Sequence, residues 1–208
     1  MTITPSSIFE GIAALSQAAI AVSVGAGVWV AYRQLHSWKN EKLSIKRAEL
    51  GEELISHASE LIGRFQSLRS PIGYGAPQGE EDDESYDFRR RLKELAELDD
   101  DFSDLRRLGV RQKALVGDAE VREAIDVIFD ARNRLWVALR AKIRQSMRDS
   151  THFGRELSEK DLEKIEKHEE VIWDGFDNSP GSITNELLES LSIIETKLLP
   201  HVRHTGTD

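Results

Sequence analysis

The sequence has no cysteine. That excludes a disulfide framework, a thiolate zinc site and a cysteine nucleophile, and it suits a reducing compartment. Alternating apolar–polar runs bounded by turn residues are also scarce, and outside residues 20–30 none is clean enough to start a sheet. Apolar residues fill only 39% of 208 positions while charged ones take 31%. This balance leaves too little for a thick α/β core and suits long amphipathic helices with narrow apolar seams. Bases are missing from residues 1–32, and over the whole chain acids outnumber them to a net charge of −9. Residues 48–208 hold 35 acidic against 23 basic side chains. Phosphate neutralisation needs the opposite balance, so no nucleic-acid partner is expected.

The most informative absence is of charge within one stretch. From Gly11 to Tyr32 there is no charged residue in 22 positions. As a helix these would extend about 33 Å, enough for a hydrocarbon core of about 30 Å. Ser16, Gln17 and Ser23 interrupt it, and seven alanines and three glycines dilute its apolarity. The preceding "MTITPSSIFE" lacks the positive n-region of a secretory leader and ends in Glu10. After the stretch, Arg33, Lys39, Lys42, Lys46 and Arg47 face only Glu41. By the positive-inside rule this predicts a single-pass span with a cytoplasmic C-terminal side and an external N-terminus. Trp29, Tyr32, Arg33, Trp38, Lys39 and Lys42 are then the expected membrane-interface residues, with the lipid bilayer as partner. An unusually apolar core helix is the competing reading.

The stretch has a second pattern. Gly11, Ala14, Ala18, Ala21 and Gly25 recur at spacings of three and four, and Ser23 and Gly27 form another pair. Such small faces let helices approach closely in lipid, which points to self-association and a homo-oligomer. An Ala-rich helix also produces such spacings with no partner at all.

Apolar periodicity predicts helices over the rest of the chain. One continues over 33–69 and stops at the Pro/Gly-rich "SPIGYGAPQG". Others are expected over 85–113, over 118–150 with Asp118 as N-cap, from Ser158 with a capping-box-like Asp161, and over 182–202. The expected fold is all-α: an N-terminal transmembrane helix over 1–32 continuing into an antiparallel cytoplasmic helical bundle over 33–202. A flexible acidic loop occupies 70–84 and a disordered tail 203–208. The two final helices together make the fourth side. In that arrangement Arg106, Arg107, Arg111 and Lys113 lie near the anionic headgroups. Arg140, Arg144 and Arg148 point towards the "EEDDES" loop and are predicted to pair there.

The segments "YRQLHSWKNEKLSIKRAELGEELI", "RSPIGYG", "EKIEKHEEVIWDG" and "IETKLLP" together resemble a family of bacterial single-pass, N-terminally membrane-anchored helical proteins. The resemblance implies an all-helical chain anchored in the bacterial inner membrane. It carries over no catalytic residue and no cofactor.

Chemical motifs are likewise missing. The glycines of "GYGAPQG" follow a helix and lack the Lys-Ser/Thr of a phosphate loop, and "HEEVIW" has Ile172 where a zinc motif needs histidine. Asp99, Asp100, Asp101 and Asp104 match no EF-hand spacing and read as a solvated helix face. His57, between Leu54 and Leu61, reads as a hydrogen-bonded boundary histidine, with proton sensing as the sharper alternative. Trp136, Trp173 and Phe176 read as bundle core. No enzyme activity, cofactor or metal is expected. The function that fits is an interaction or scaffold module at the cytoplasmic face with a protein partner there. The alternative is a self-associating, membrane-perturbing or channel-forming effector. Leu188 and Leu199, off the main stripe of the last helix, suggest an apolar strip for that partner.

Overall fold

A computed structural model describes residues 5–72, 83, 85–149, 158–174 and 182–203, with the side chains of residues 5–15, 18, 148, 149 and 160 outside the description. Every element in it is a helix: α1 Pro5–Arg69, α2 Tyr86–Glu97, α3 Asp99–Leu115, α4 Ala119–Asp149, α5 Glu159–Ile172 and α6 Ile183–Arg203. The all-α expectation therefore holds. The chain divides into two compact units, Met1–Lys46 and Arg47–Asp208. The bundle thus begins at Arg47, whereas the sequence pattern placed its start at residue 33. The physical reason is burial: residues 33–46 bury no side chain, and continuous burial begins at Ala48 and Leu50.

Within the second unit α4 is the central element, packing against α2, α3, α5 and α6. Residues 47–69 of α1 run antiparallel to α2 and α3. Arg47 Nε donates to the Leu115 carbonyl at one end (2.7 Å), and Arg91 reaches the Leu68 carbonyl at the other. The seam is leucine-rich: Leu50, Leu54, Leu61, Leu105, Leu135 and Leu139 are all shut off from solvent. Burial of each contributes about 1.5–3 kcal/mol relative to exposure. Helix α6 is antiparallel to α4, with Lys197–Glu120 and Arg134–Glu186 pairs at its two ends. Helix α5 lies against the C-terminal half of α4 through Lys142–Glu169. Helices α5 and α6 thus share one side of the bundle, as their lengths suggested.

Two connections follow from local chemistry. Between α3 and α4, Gly117 adopts φ 76°, and its N–H and that of Val116 both donate to the Gln112 carbonyl at 2.9 Å. This is a left-handed C-terminal cap that favours glycine. Asp118 then caps α4, its Oδ1 accepting from the Glu120 and Val121 amides (2.8 and 3.2 Å). Ser158 caps α5, accepting from the Asp161 amide at 3.3 Å.

The helix expected over 85–113 is two. It breaks at Leu98, whose amide donates to the Leu95 carbonyl and whose carbonyl accepts from Phe102. Three aspartates open the second piece, where carboxylates complement the exposed amides of a helix N-terminus. The apolar stripe continues across the break, so periodicity alone does not reveal it. Most of the acidic loop, residues 73–82 and 84, lies outside the described residues, as does the tail from 204.

Candidate interaction surfaces

Among its described residues the first unit presents a series of exposed apolar side chains. Ile20, Val22, Val24, Val28, Trp29, Tyr32, Leu35 and Trp38 are all exposed, and Val22 reaches 72%. At helical spacing these positions cover an arc of about 200°, wider than the stripe of a surface helix, with Val30 exposed on the remaining side. Among the described residues, no helix is long and apolar enough to cross a membrane. The charge-free stretch begins at Gly11, and its first five side chains together with Ala18 lie outside the description. The side-chain surroundings of Gly11, Ala14 and Ala18 in the small-residue face therefore lie outside the description. Ala21 is exposed, and a Cβ added at Gly25 would meet nothing within 4 Å.

The expected interface residues are brought together in pairs by helical spacing. The Arg33 guanidinium lies 5.7 Å from the Trp29 ring, and Lys42 Nζ lies 3.9 Å from the Trp38 ring. Tyr32 meets His36 edge-on at 4.9 Å. Each cation thereby sits beside an aromatic face, a combination suited to the boundary between apolar and aqueous phases. Lys39 is exposed nearby.

The bundle's most elaborate polar arrangement is a knot of two buried arginines. Arg69, at the end of α1, donates from Nε to the Val171 carbonyl (2.9 Å) and from Nη2 to the Glu170 and Trp173 carbonyls (both 3.2 Å). Its Nη1 donates to Thr184 Oγ1 (2.8 Å), and its own carbonyl accepts from the Asp174 amide. Arg69 thus satisfies the orphan carbonyls at the C-terminus of α5 and ties them to the start of α6. Arg91 does the same for α1, donating to the Leu68 and Ser70 carbonyls while Asp87 Oδ2 accepts from its Nε at 2.8 Å. The Arg91 guanidinium also stacks over the Trp173 ring at 4.4 Å. Burial works against the Asp87 carboxylate, but hydrogen bonds and charge from Arg91 and Arg90 prevail and hold its pKa below the usual range. Every guanidinium nitrogen of both arginines donates to an acceptor within the bundle. The knot holds helix ends together. Neither arginine stands out in the sequence, because the Arg69 acceptors on α5 and α6 lie 101 to 115 residues away.

The basic side of α4 divides in two. Arg132 pairs with Asp99, Arg134 with Asp130 and Glu186, and Lys142 with Glu169. Arg140 instead stacks on Trp136 at 4.5 Å, and Arg144 Nε donates to the Arg140 carbonyl at 3.4 Å. The predicted pairing of Arg140, Arg144 and Arg148 with the acidic loop is not what the described residues show, since Asp83 there pairs with Arg89. The Arg148 side chain and the rest of that loop lie outside the described residues. Trp136 is 42% exposed, which corrects its expected place in the core. It sits on the outer face of α4 with Val137, and the Arg140 guanidinium lies over its ring. Trp173 is half-buried against the core, tilted 6.2 Å from Phe88, and Phe176 lies outside the described residues.

The aspartates of α3 are not simply solvated. Asp99 pairs with Arg132, Asp101 with Arg64 and Asp104 with Arg107, while Asp100 is exposed. No group of three potential metal ligands occurs among the described residues. His57 is half-buried, and its Nε2–H donates to the Asp101 carbonyl at 2.8 Å. His168 has its pKa lowered, first by burial and then by the Lys142 charge. Arg111 pairs with Glu53 on α1 at 2.6 Å, and Arg106 stacks over Phe129 at 5.1 Å.

An open groove runs between α4 and α6. Ala124, Val127 and Ile193 form its floor, and Glu123 and Glu189 stand on its edges. Leu188 is exposed on the same helix, as its departure from the stripe suggested, whereas Leu199 is half-buried. No known family, curated protein or solved structure matches the chain. The surfaces themselves are therefore the ground for a functional reading.

Proposed function

We propose that this chain is a membrane-anchored helical module of the bacterial inner membrane, with Gly11–Tyr32 as a single span and the bundle working as an interaction or scaffold unit at the cytoplasmic face. The observation that carries the reading is the first unit's exposed apolar surface, from Ile20 to Trp38, bounded by Trp–Arg and Trp–Lys pairs and followed by four bases against Glu41. Apolar surface of that extent over more than half of a helix requires a cover, and lipid provides one. The described part falls short of a span by itself, so the proposal depends on Gly11–Leu15 continuing it.

Separation of membranes from soluble protein in lysed cells tests this reading. The full chain is expected in the membrane pellet, resistant to high salt and alkaline carbonate and released by detergent. Recovery of the intact chain in the supernatant overturns the anchor. Recovery in the pellet with release by high salt alone overturns the span and leaves only a surface attachment.

A further inference from the structure

We propose that the groove between α4 and α6 receives the basic segment Leu35–Lys46 of a second copy of this chain. The floor is apolar, from Ala124, Val127 and Ile193, and the edge carboxylates Glu123 and Glu189 have no basic partner among the described residues. Both ends are already closed by ion pairs, Glu120 with Lys197 at 2.5 Å and Arg134 with Glu186. An occupant must therefore bring apolar side chains for the floor and cations for the middle of the groove.

Leu35–Lys46 brings both. At about 100° per residue, Leu35, Trp38 and Ile45 fall within one sector of the helix, and Lys39, Lys42 and Lys46 share or border it. All six side chains are exposed. None of the three lysines has an acidic partner among the described residues, and Lys42 lies along the Trp38 ring. The segment and its flanks, residues 33–47, hold five bases against Glu41 alone. Three of the basic residues on α4, Arg132, Arg134 and Lys142, are already engaged by acids. Lengths agree as well. Glu120 to Arg134 spans about 21 Å of α4 and Leu35 to Lys46 about 17 Å of helix. The mode is an apolar helix face laid into a groove, with charge setting register and partner choice. Reciprocal filling of two grooves closes a two-fold dimer.

Charge exchange in the full chain tests the proposal. Mass is read by light scattering in detergent micelles over a range of concentration, and helix content by circular dichroism confirms that each variant folds. The unaltered chain is expected to associate. Glu123→Lys with Glu189→Lys should raise the concentration for half-association about tenfold or more, and so should Lys39→Glu with Lys42→Glu and Lys46→Glu. Joining both sets in one chain should restore association. A monomeric unaltered chain overturns the proposal, as does association unchanged by either set, which would leave the small-residue face of the span as its origin. Loss of association with no restoration also overturns it, and would assign the groove to a different protein or the lysines to anionic lipid. Flotation with vesicles, measured in parallel on Glu123→Lys with Glu189→Lys, reports anchoring separately. It should not change, so failure of the docking and failure of the anchor give different results.

Discussion

At the scale of single residues, the decisive contrast is between buried arginines and the surface ion pairs that outnumber them. Arg69 and Arg91 are each 2% exposed and donate to backbone carbonyls at helix ends, whereas Lys167 and Glu163 are about two-thirds exposed. Removing a buried donor leaves several acceptors dry, and removing an exposed one leaves water to replace it. Arg69→Ala should therefore lower stability by about 3 kcal/mol, read as a fall in the urea midpoint. Arg69→Lys should recover little, because an ammonium cannot reach acceptors on α5 and α6 from one planar fork. Lys167→Ala should leave the midpoint unchanged. Acidification adds a second test. The Asp87 pKa is depressed in the folded chain, so its contribution is present above the usual carboxylate range and is lost as pH falls through that range and below. His168 is depressed by burial and by Lys142, so the unfolded chain takes up its proton first, and stability begins to fall as pH drops below about 6.5. His168→Gln should remove the first decline and Asp87→Asn should reduce the second, both measured as midpoint against pH.

At the scale of elements, α1 carries two glycines at which an added side chain should move stability in opposite directions. A Cβ at Gly63 would meet nothing within 4 Å, so Gly63→Ala should stabilise by about 0.5–1 kcal/mol through helix propensity. A Cβ at Gly51 would stand 3.0 Å from Val202 Cγ2 and 3.6 Å from Leu198 Cβ, where α6 closes on α1. There Gly51→Leu should force the helices apart and lower the thermal midpoint by several degrees, with about 1–3 kcal/mol lost to overpacking. Such close approach is invisible in a sequence, since both glycines sit in the same helical periodicity. What was legible was local: the stripes of α4 and α6, the Asp118 and Ser158 caps, and the stop after Arg69. The break at Leu98 was missed because it has no glycine or proline. Its signal was present as Asp99, Asp100 and Asp101, a run that suits a helix N-terminus better than a solvated face. The site-level misses have one cause. Trp136 lies within the apolar run 135–139, and the composition of that run does not say which of its members face the core. The groove edged by Glu123 and Glu189 likewise exists only once α4 and α6 are paired.

At the scale of the whole molecule, charge is sorted along the chain, and the sorting makes a topological prediction. Residues 33–47 carry five bases and one acid, whereas residues 48–208 carry 35 acids against 23 bases. Bases next to a span are held on the cytoplasmic side, where anionic lipid attracts them, and acids contribute little to orientation. The proposed anchor therefore requires the N-terminus to be external and the bundle internal. The chain has no cysteine, so single cysteines report position without background. With Ser7→Cys in intact spheroplasts, a membrane-impermeant maleimide should label the chain at once. With Thr205→Cys it should label only after the membrane is opened. Equal labelling at both positions before opening would mean that no bilayer separates them, and the reverse order would mean that the five bases do not set the orientation. Substituting Lys39, Lys42 and Lys46 by Glu should reduce the orientation bias, because it leaves Arg33 and Arg47 against four acids. A fraction of Ser7→Cys chains should then become protected. That variant also removes the cations proposed to fill the groove, so orientation and association are both read from it. Loss of association with orientation intact, restored when Glu123→Lys and Glu189→Lys are added, would assign the lysines to the groove, and loss of orientation with association intact would assign them to the lipid.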